Sequence, residues 1–128
     1  MRRIVYISTA DALSEEQLDA IVAGSARNNV KTAVSGFLLY NGRNFLQLIE
    51  GEHAEIGGLI GVIEADGRHD GLVRLIDGNI ETRSCADWAM SRIALHDDLA
   101  KRRDAFMKVL QPLDEATGRL VNNFALLN

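Results

Sequence analysis

The chain has little of several things, and each shortage removes a class of protein. One cysteine stands in 128 residues. Cys85 can therefore form no internal disulfide, which suits a reducing cytoplasm. No run approaches the roughly 18 apolar residues of a membrane helix. Arg2 and Arg3 near the start are followed by Asp11, Glu15 and Glu16 rather than by a long apolar stretch, which argues against a signal peptide or anchor. Basic charge is also short, with 14 Lys and Arg against 18 Asp and Glu and a formal charge of -4. No stretch interleaves Lys or Arg with aromatics, and an acidic surface repels phosphate backbones, so no nucleic-acid partner is expected. His53, His69 and His96 are too scattered for a metal site, and Glu50 with Glu52 reads as a solvated turn. Aromatics make up only 5% of the chain, so Leu, Ile, Val and Ala must build the core.

What remains is ordinary for one globular domain with one core, at 47% hydrophobic and 25% charged residues. Residues 3–8 form a short β-branched run, read as a first strand. Ser14-Glu15-Glu16-Gln17 matches a capping box, and Leu18, Ile21, Val22, Ser25 and Asn29 follow at helical spacing. Residues 34–40 and 45–50 read as two strands of a hairpin around Asn41-Gly42. Ile56, Leu59, Ile60 and Ile63 mark a second helix over 52–65, weakened by Gly57 and Gly58 and stopped by Asp66-Gly67. Residues 72–76 and 88–95 read as two more strands. The order is that of an α+β, ferredoxin-like βαββαβ fold with an extra strand: a five-stranded sheet with two helices on one face. Strands one and three should be central neighbours. Leu99, Arg103, Phe106 and Leu110 mark a third helix, ended by Pro112. Leu113, Leu120, Val121, Phe124 and Leu127 mark a fourth, capped by Asp114. This pair is expected to cover the other face of the sheet. Residues 1–96 are thus expected to form the domain proper and 97–128 a helical extension packed on it.

The informative anomaly is polar side chains where the pattern predicts core. Ser25 and Asn29 continue an apolar helix stripe. A buried polar group left unpaired costs about 1–3 kcal/mol, so each needs a partner. Ser25 could bond back to a helix carbonyl, and Asn29 could cap the helix end. Gln47 sits among Phe45, Leu46, Leu48 and Ile49, and strand alternation puts it on the face of Phe45 and Ile49. Tyr6 and Ser8 share a face with Ile4 on the first strand. Tyr6 and Gln47 could therefore lie side by side under the two helices, either as a structural pair setting register or as part of a site. Four polar groups converging on one sheet–helix cleft are the usual mark of a small-molecule pocket. Asp66-Gly67-Arg68-His69 adds a carboxylate, a guanidinium and an imidazole at its mouth; alone it would read as an exposed turn.

These segments together resemble one family. Tyr6-Ile7-Ser8, Ser25-Ala26-Arg27-Asn28-Asn29, the hairpin from Ser35 through Gly42, Phe45-Leu46-Gln47-Leu48-Ile49-Glu50-Gly51, Asp66-Gly67-Arg68-His69 and Asp87-Trp88-Ala89-Met90 are similar to the BLUF domain, the sensors of blue light using FAD. The likeness covers about Arg2 to Leu95. It departs at Arg83-Ser84-Cys85, where the family often reads near Arg-Arg-Phe; the departure makes Cys85 a small core residue rather than a reactive thiol. The tail after Leu95 resembles nothing in particular.

The resemblance implies a flavin between the two helices, as FAD, with FMN or riboflavin as alternatives. It implies Asn29 at the flavin edge, Ser25 facing the ring and Phe45 packed nearby. Asp66, Arg68 and His69 would bound the ribityl and phosphate side. Tyr6 and Gln47 would be the photoactive pair, with Trp88 and Met90 as relays to the sheet from the fifth strand. No catalysis is implied. A short chain of this kind would be a cytoplasmic receptor that signals through a protein partner or a homo-oligomer. Two other readings stay open at this point: an interaction module of the same fold without flavin, and a small flavin oxidoreductase.

Overall fold

A computed structural model describes residues 1–10, 12–67, 70–86, 88–93 and 113–127. In chain order these form β1 (Arg2–Thr9), α1 (Glu15–Thr32), β2 (Ser35–Tyr40), β3 (Asn44–Gly51), α2 (His53–Glu64), β4 (Asp70–Asn79), β5 (Ser91–Arg92) and α3 (Glu115–Leu127). The helix starts follow the local code. Ser14 caps α1, accepting from the Gln17 amide at 3.1 Å while the Gln17 side chain accepts from the Ser14 amide at 2.8 Å. Asp114 does the same for α3, accepting from the Thr117 amide at 3.1 Å. The end of α1 is set by Ala33 in a left-handed conformation, φ 54°, and not by Asn29.

The strand order is β4-β1-β3-β2-β5. β1 lies between β3 and β4, antiparallel to both, so the first and third strands are neighbours, as the element order predicts. β2 and β3 form an antiparallel hairpin. Its turn is held by the Asn41 side chain, which accepts from the amides of Arg43 and Asn44 at 3.1 and 2.7 Å, while Gly42 supplies the positive φ of 93°.

Both faces of the sheet are covered, which explains why β2 is buried at every position. On the front face Ile4, Leu38, Phe45 and Ile49 pack with Leu18 of α1 and Ile56 and Ile60 of α2. On the back face Val5, Phe37, Leu39, Leu46 and Leu48 pack with Val121, Phe124 and Ala125 of α3. Each large aliphatic or aromatic side chain buried this way contributes about 1.5–3 kcal/mol. β2 and β3 approach so closely at Gly36 that an added Cβ would stand 1.9 Å from the Leu48 carbonyl oxygen.

Several expectations change. The fifth strand is Ser91–Arg92 and not 88–95. It also runs parallel to β2, which makes the sheet mixed. Trp88 lies before it in a turn, where its amide donates to Cys85 O at 3.0 Å and so is taken from any ladder, while its carbonyl still accepts from Gly36 N of β2 at 2.8 Å. The fourth strand is longer than 72–76, although it is largely exposed. Of the two C-terminal helices, the described residues contain one, α3. The helix expected around Leu99, Arg103, Phe106 and Leu110 lies outside the described residues, as do Leu95, His96 and Pro112. Finally, Glu50 is fully buried. Strand alternation carries it to the back face with Leu46 and Leu48, where Arg3 neutralises it, so it is no part of a solvated turn.

Candidate functional site

A cleft opens on the front face between α1 and α2, with about 890 Å³ of space between its walls, solvent at the mouth included. β1 and β3 form the floor. Tyr6 and Gln47 are direct partners in the register, and both turn to the front. The Tyr6 hydroxyl donates to Gln47 Oε1. Gln47 Nε2 in turn faces Met90 Sδ at 3.5 Å, a weak acceptor for its proton. The carboxamide is thus gripped at both ends, with Tyr6 3% and Gln47 7% exposed. Burial raises the Tyr6 pKa well above the ordinary phenol value, and the negative charge of Asp66 adds to the effect. Tyr6 is therefore a neutral donor at any physiological pH.

The walls are mostly aliphatic: Ile21 and Val22 from α1, Leu59 and Ile63 from α2, with Leu38 and Phe45 beneath. Tyr40 stacks on Phe45 at a centroid distance of 4.9 Å. It also ties the chain after β1, donating to Ala10 O at 2.5 Å and accepting from Leu13 N at 3.0 Å. Polar groups interrupt this lining at a few places. Ser25, Asn28 and Asn29 line the cleft from α1, and Asp66 stands on its wall just beyond α2. Asn29 is buried, and its Nδ2 donates to Ala89 O at 2.5 Å. The candidate residues Tyr6, Ser25, Asn29, Phe45, Gln47 and Asp66 thus meet in one cleft with Met90. Arg68 and His69 lie outside the described residues, as does Asp87.

Trp88 and Met90, expected side by side on one strand, lie on opposite sides of the sheet. Met90 belongs to the front cluster and lines the cleft. Trp88 packs edge-on against Phe37 at 6.2 Å in the back cluster. The irregular backbone before β5 lacks the alternation that would have kept residues two apart on one face.

Such a slot suits a planar group whose faces are apolar and whose edges accept and donate hydrogen bonds. The polar set is chemically matched to that: three amides, a hydroxyl and a phenol around aliphatic walls. It also holds a proton relay, since a phenol bonded to a carboxamide can give up its proton as it loses an electron, and the amide can both accept and donate.

The comparisons agree. The family described as BLUF, sensors of blue-light using FAD, matches residues 1–91. The chain belongs to the BLUF family. It is a blue-light photoreceptor domain that uses a flavin. Photoactivated adenylate cyclase subunit alpha of Euglena gracilis is 32% identical over 93 residues, which are 70% of this chain and 9% of that protein. This BLUF chain therefore spans under a tenth of that relative's length. Among solved structures, Klebsiella pneumoniae BlrP1 with FMN and cyclic diGMP is similar at a TM-score of 0.84 and 25% identity, over 97% of this chain and 34% of that one. BlrB, a BLUF protein in its dark state, is similar at a TM-score of 0.70 and 30% identity, over 88% of this chain and 83% of that one.

Reading the BLUF sequence for its cleft missed a second polar cluster, behind the sheet. Arg3 Nε donates to Glu50 Oε2 at 3.2 Å, and its two terminal nitrogens donate to Asp114 Oδ1 at 2.8 Å and Ser84 Oγ at 2.6 Å. The signal was available. The register that pairs Tyr6 with Gln47 also pairs Arg3 with Glu50, and both alternate onto the back face.

Proposed function

We propose that Tyr6 and Gln47 are the photoactive pair of this receptor and that Asn29, Ser25, Phe45 and Asp66 hold its flavin, with Arg68 and His69 completing the mouth. The observation that carries this reading is the hydrogen bond from the Tyr6 hydroxyl to Gln47 Oε1 on the floor of the cleft. A bound flavin supplies absorption of blue light and, once excited, a strong oxidant. Tyr6 would answer by giving it an electron, and Gln47 would take the phenolic proton at Oε1. The carboxamide would then rotate or tautomerise, so that its donor and acceptor ends exchange partners. Return of the electron and proton would restore Tyr6 while the altered Gln47 amide contact persists, and a stronger hydrogen bond from that amide would give a small red shift. Asn29 would orient the ring edge. Asp66, an anion at the mouth, suits a ribityl or sugar hydroxyl better than a phosphate. The FMN held by BlrP1 supports a site that reads the ring and its nearest hydroxyls, and FMN and riboflavin as well as FAD meet that requirement.

The chain works as a sensor: its polar groups face the flavin slot, and the match to the relative that carries a cyclase name covers only 9% of that protein. Residues 1–96 act as the receptor and 97–128 as a helical extension, a division supported by the seat of Val121, Phe124 and Ala125 in the back core. Val73 and Leu75 remain 51% and 38% exposed on β4, which supports output through a homo-oligomer or a protein partner. The deciding experiment is absorption of the purified chain before, during and after blue illumination, alongside Tyr6→Phe. A reversible red shift present in the native chain and absent in Tyr6→Phe is expected. A shift that survives the substitution would remove Tyr6 from the mechanism.

A further inference from the structure

The cleft and α3 lie on opposite faces of the sheet, yet an unbroken series of contacts joins them. It begins at Gln47, whose Nε2 faces Met90 Sδ at 3.5 Å. The neighbouring Ala89 carbonyl is held by Asn29 at 2.5 Å. The chain then turns over the edge of β2, where Gly36 N donates to Trp88 O and Trp88 N to Cys85 O. At Cys85 the amide donates to Glu50 Oε1 at 2.6 Å. Glu50 Oε2 accepts from Arg3, and Arg3 reaches on to Ser84 and to Asp114, the cap of α3.

We infer that Arg3, clamped between Glu50 and Asp114, is the joint through which the cleft sets the position of α3. The inference rests on the photoactive pair proposed above. Glu50 is 0% and Arg3 6% exposed. A buried ion pair is weak evidence for stability, because apolar replacements often do as well, but it is intolerant of misplacement. Such a pair registers small movements that aliphatic packing would absorb. The segment carrying Cys85, Trp88 and Met90 is held at one end by the amide that light rearranges and at the other by Glu50. When Gln47 exchanges its donor and acceptor ends, Met90 loses the proton that faces it and the segment loses one anchor. Cys85 and Ser84 shift with it, and both are direct partners of the Glu50–Arg3 pair. Asp114 then loses its alignment with Arg3, which loosens the first turn of α3.

The test is hydrogen exchange of the α3 amides from Thr117 to Ala125, in darkness and under continuous blue light, on the flavin-loaded full chain, with absorption recorded in parallel. One substitution separates the joint from the cap. Asp114→Ser keeps a capping hydroxyl for Thr117 N but is too short to reach Arg3. In the native chain light should change α3 exchange about fivefold or more, the low end of ordinary coupling between sites. The difference should vanish in Asp114→Ser, with the red shift unchanged. If Asp114→Ser already exposes α3 in the dark, Glu50→Gln decides, since it spares the cap and should also remove the light difference. A light difference undiminished in Asp114→Ser or Glu50→Gln overturns the joint, as does a native chain that shifts red without any change in α3. A native chain that shows no red shift overturns the photoactive reading itself, and the joint with it.

Discussion

The two faces of the sheet treat polar groups in opposite ways. On the front face Tyr6, Gln47, Asn29 and Ser25 line an open cleft. On the back face Arg3 and Glu50 pair in the buried core, and Asp114 meets Arg3 from a half-exposed position. Both sets sit among aliphatic side chains, and Tyr6, Gln47, Arg3 and Glu50 are placed by alternation along β1 and β3. The difference lies in what each set faces. A buried polar group costs roughly 1–3 kcal/mol when unpaired; both sets meet that cost with partners in the protein, but the front set also borders a space that a ligand can enter. Polar residues in a core pattern therefore mark a binding site only when they converge on a cavity.

The largest expected effect tests the front face. Gln47→Leu removes the amide that relays and switches, and the light-induced red shift should disappear completely while flavin stays bound; difference absorption before and after illumination measures it. Next comes the back face. Arg3→Met strands a buried carboxylate and should cost about 3–5 kcal/mol. Denaturant titration should recover part of that loss when Glu50→Leu is added, because the apolar pair no longer contains an unmatched charge. If the double variant is as unstable as Arg3→Met alone, Glu50 is not what Arg3 neutralises. Gly36→Ala probes the strip between the faces. Its methyl would press on the Leu48 carbonyl, so a loss of about 1–3 kcal/mol is expected from overpacking. Thermal melting measures it, and an unchanged midpoint would contradict the close approach of β2 and β3.

Alkaline pH distinguishes the faces more gently. The folded Tyr6 pKa lies above its unfolded value near 10, so the unfolded chain loses that proton first. The stability Tyr6 contributes is complete below about pH 10 and declines as pH rises beyond it. Red-shift amplitude should accordingly stay flat through about pH 9, and Tyr6→Phe should flatten the alkaline loss of stability seen in denaturant titrations. The smallest effect belongs to the exposed edge. Asp77, whose pKa Arg2 and then Arg74 hold down against partial desolvation, is an exposed ion-pair partner, so Asp77→Asn should cost under about 1 kcal/mol and less at high salt.

Much of this was legible from local pattern. The capping box at Ser14 and the Asn41-Gly42 turn are short-range signals that depend on adjacent residues. So is the alternation that puts Phe45, Gln47 and Ile49 on one face. The failures have a common cause. Trp88 and Met90 fit a strand by composition, but a turn to Cys85 takes the Trp88 amide and distant Gly36 fixes its carbonyl, and composition alone shows neither. Cys85 was placed correctly in the core, where burial pushes its thiol pKa up to about 12. Glu50 was misplaced because a carboxylate beside Glu52 looks solvated until its partner is known.

The amino-acid order by itself determined the βαββαβ framework, the pairing of Tyr6 with Gln47 and the family, since periodicity and register propagate from neighbour to neighbour. Only the tertiary structure decided that Met90 meets Gln47 while Trp88 turns to the back, and that Arg3 joins Glu50 to α3. Those outcomes depend on which distant groups compete for the same hydrogen bonds, and that is settled when the chain closes on itself.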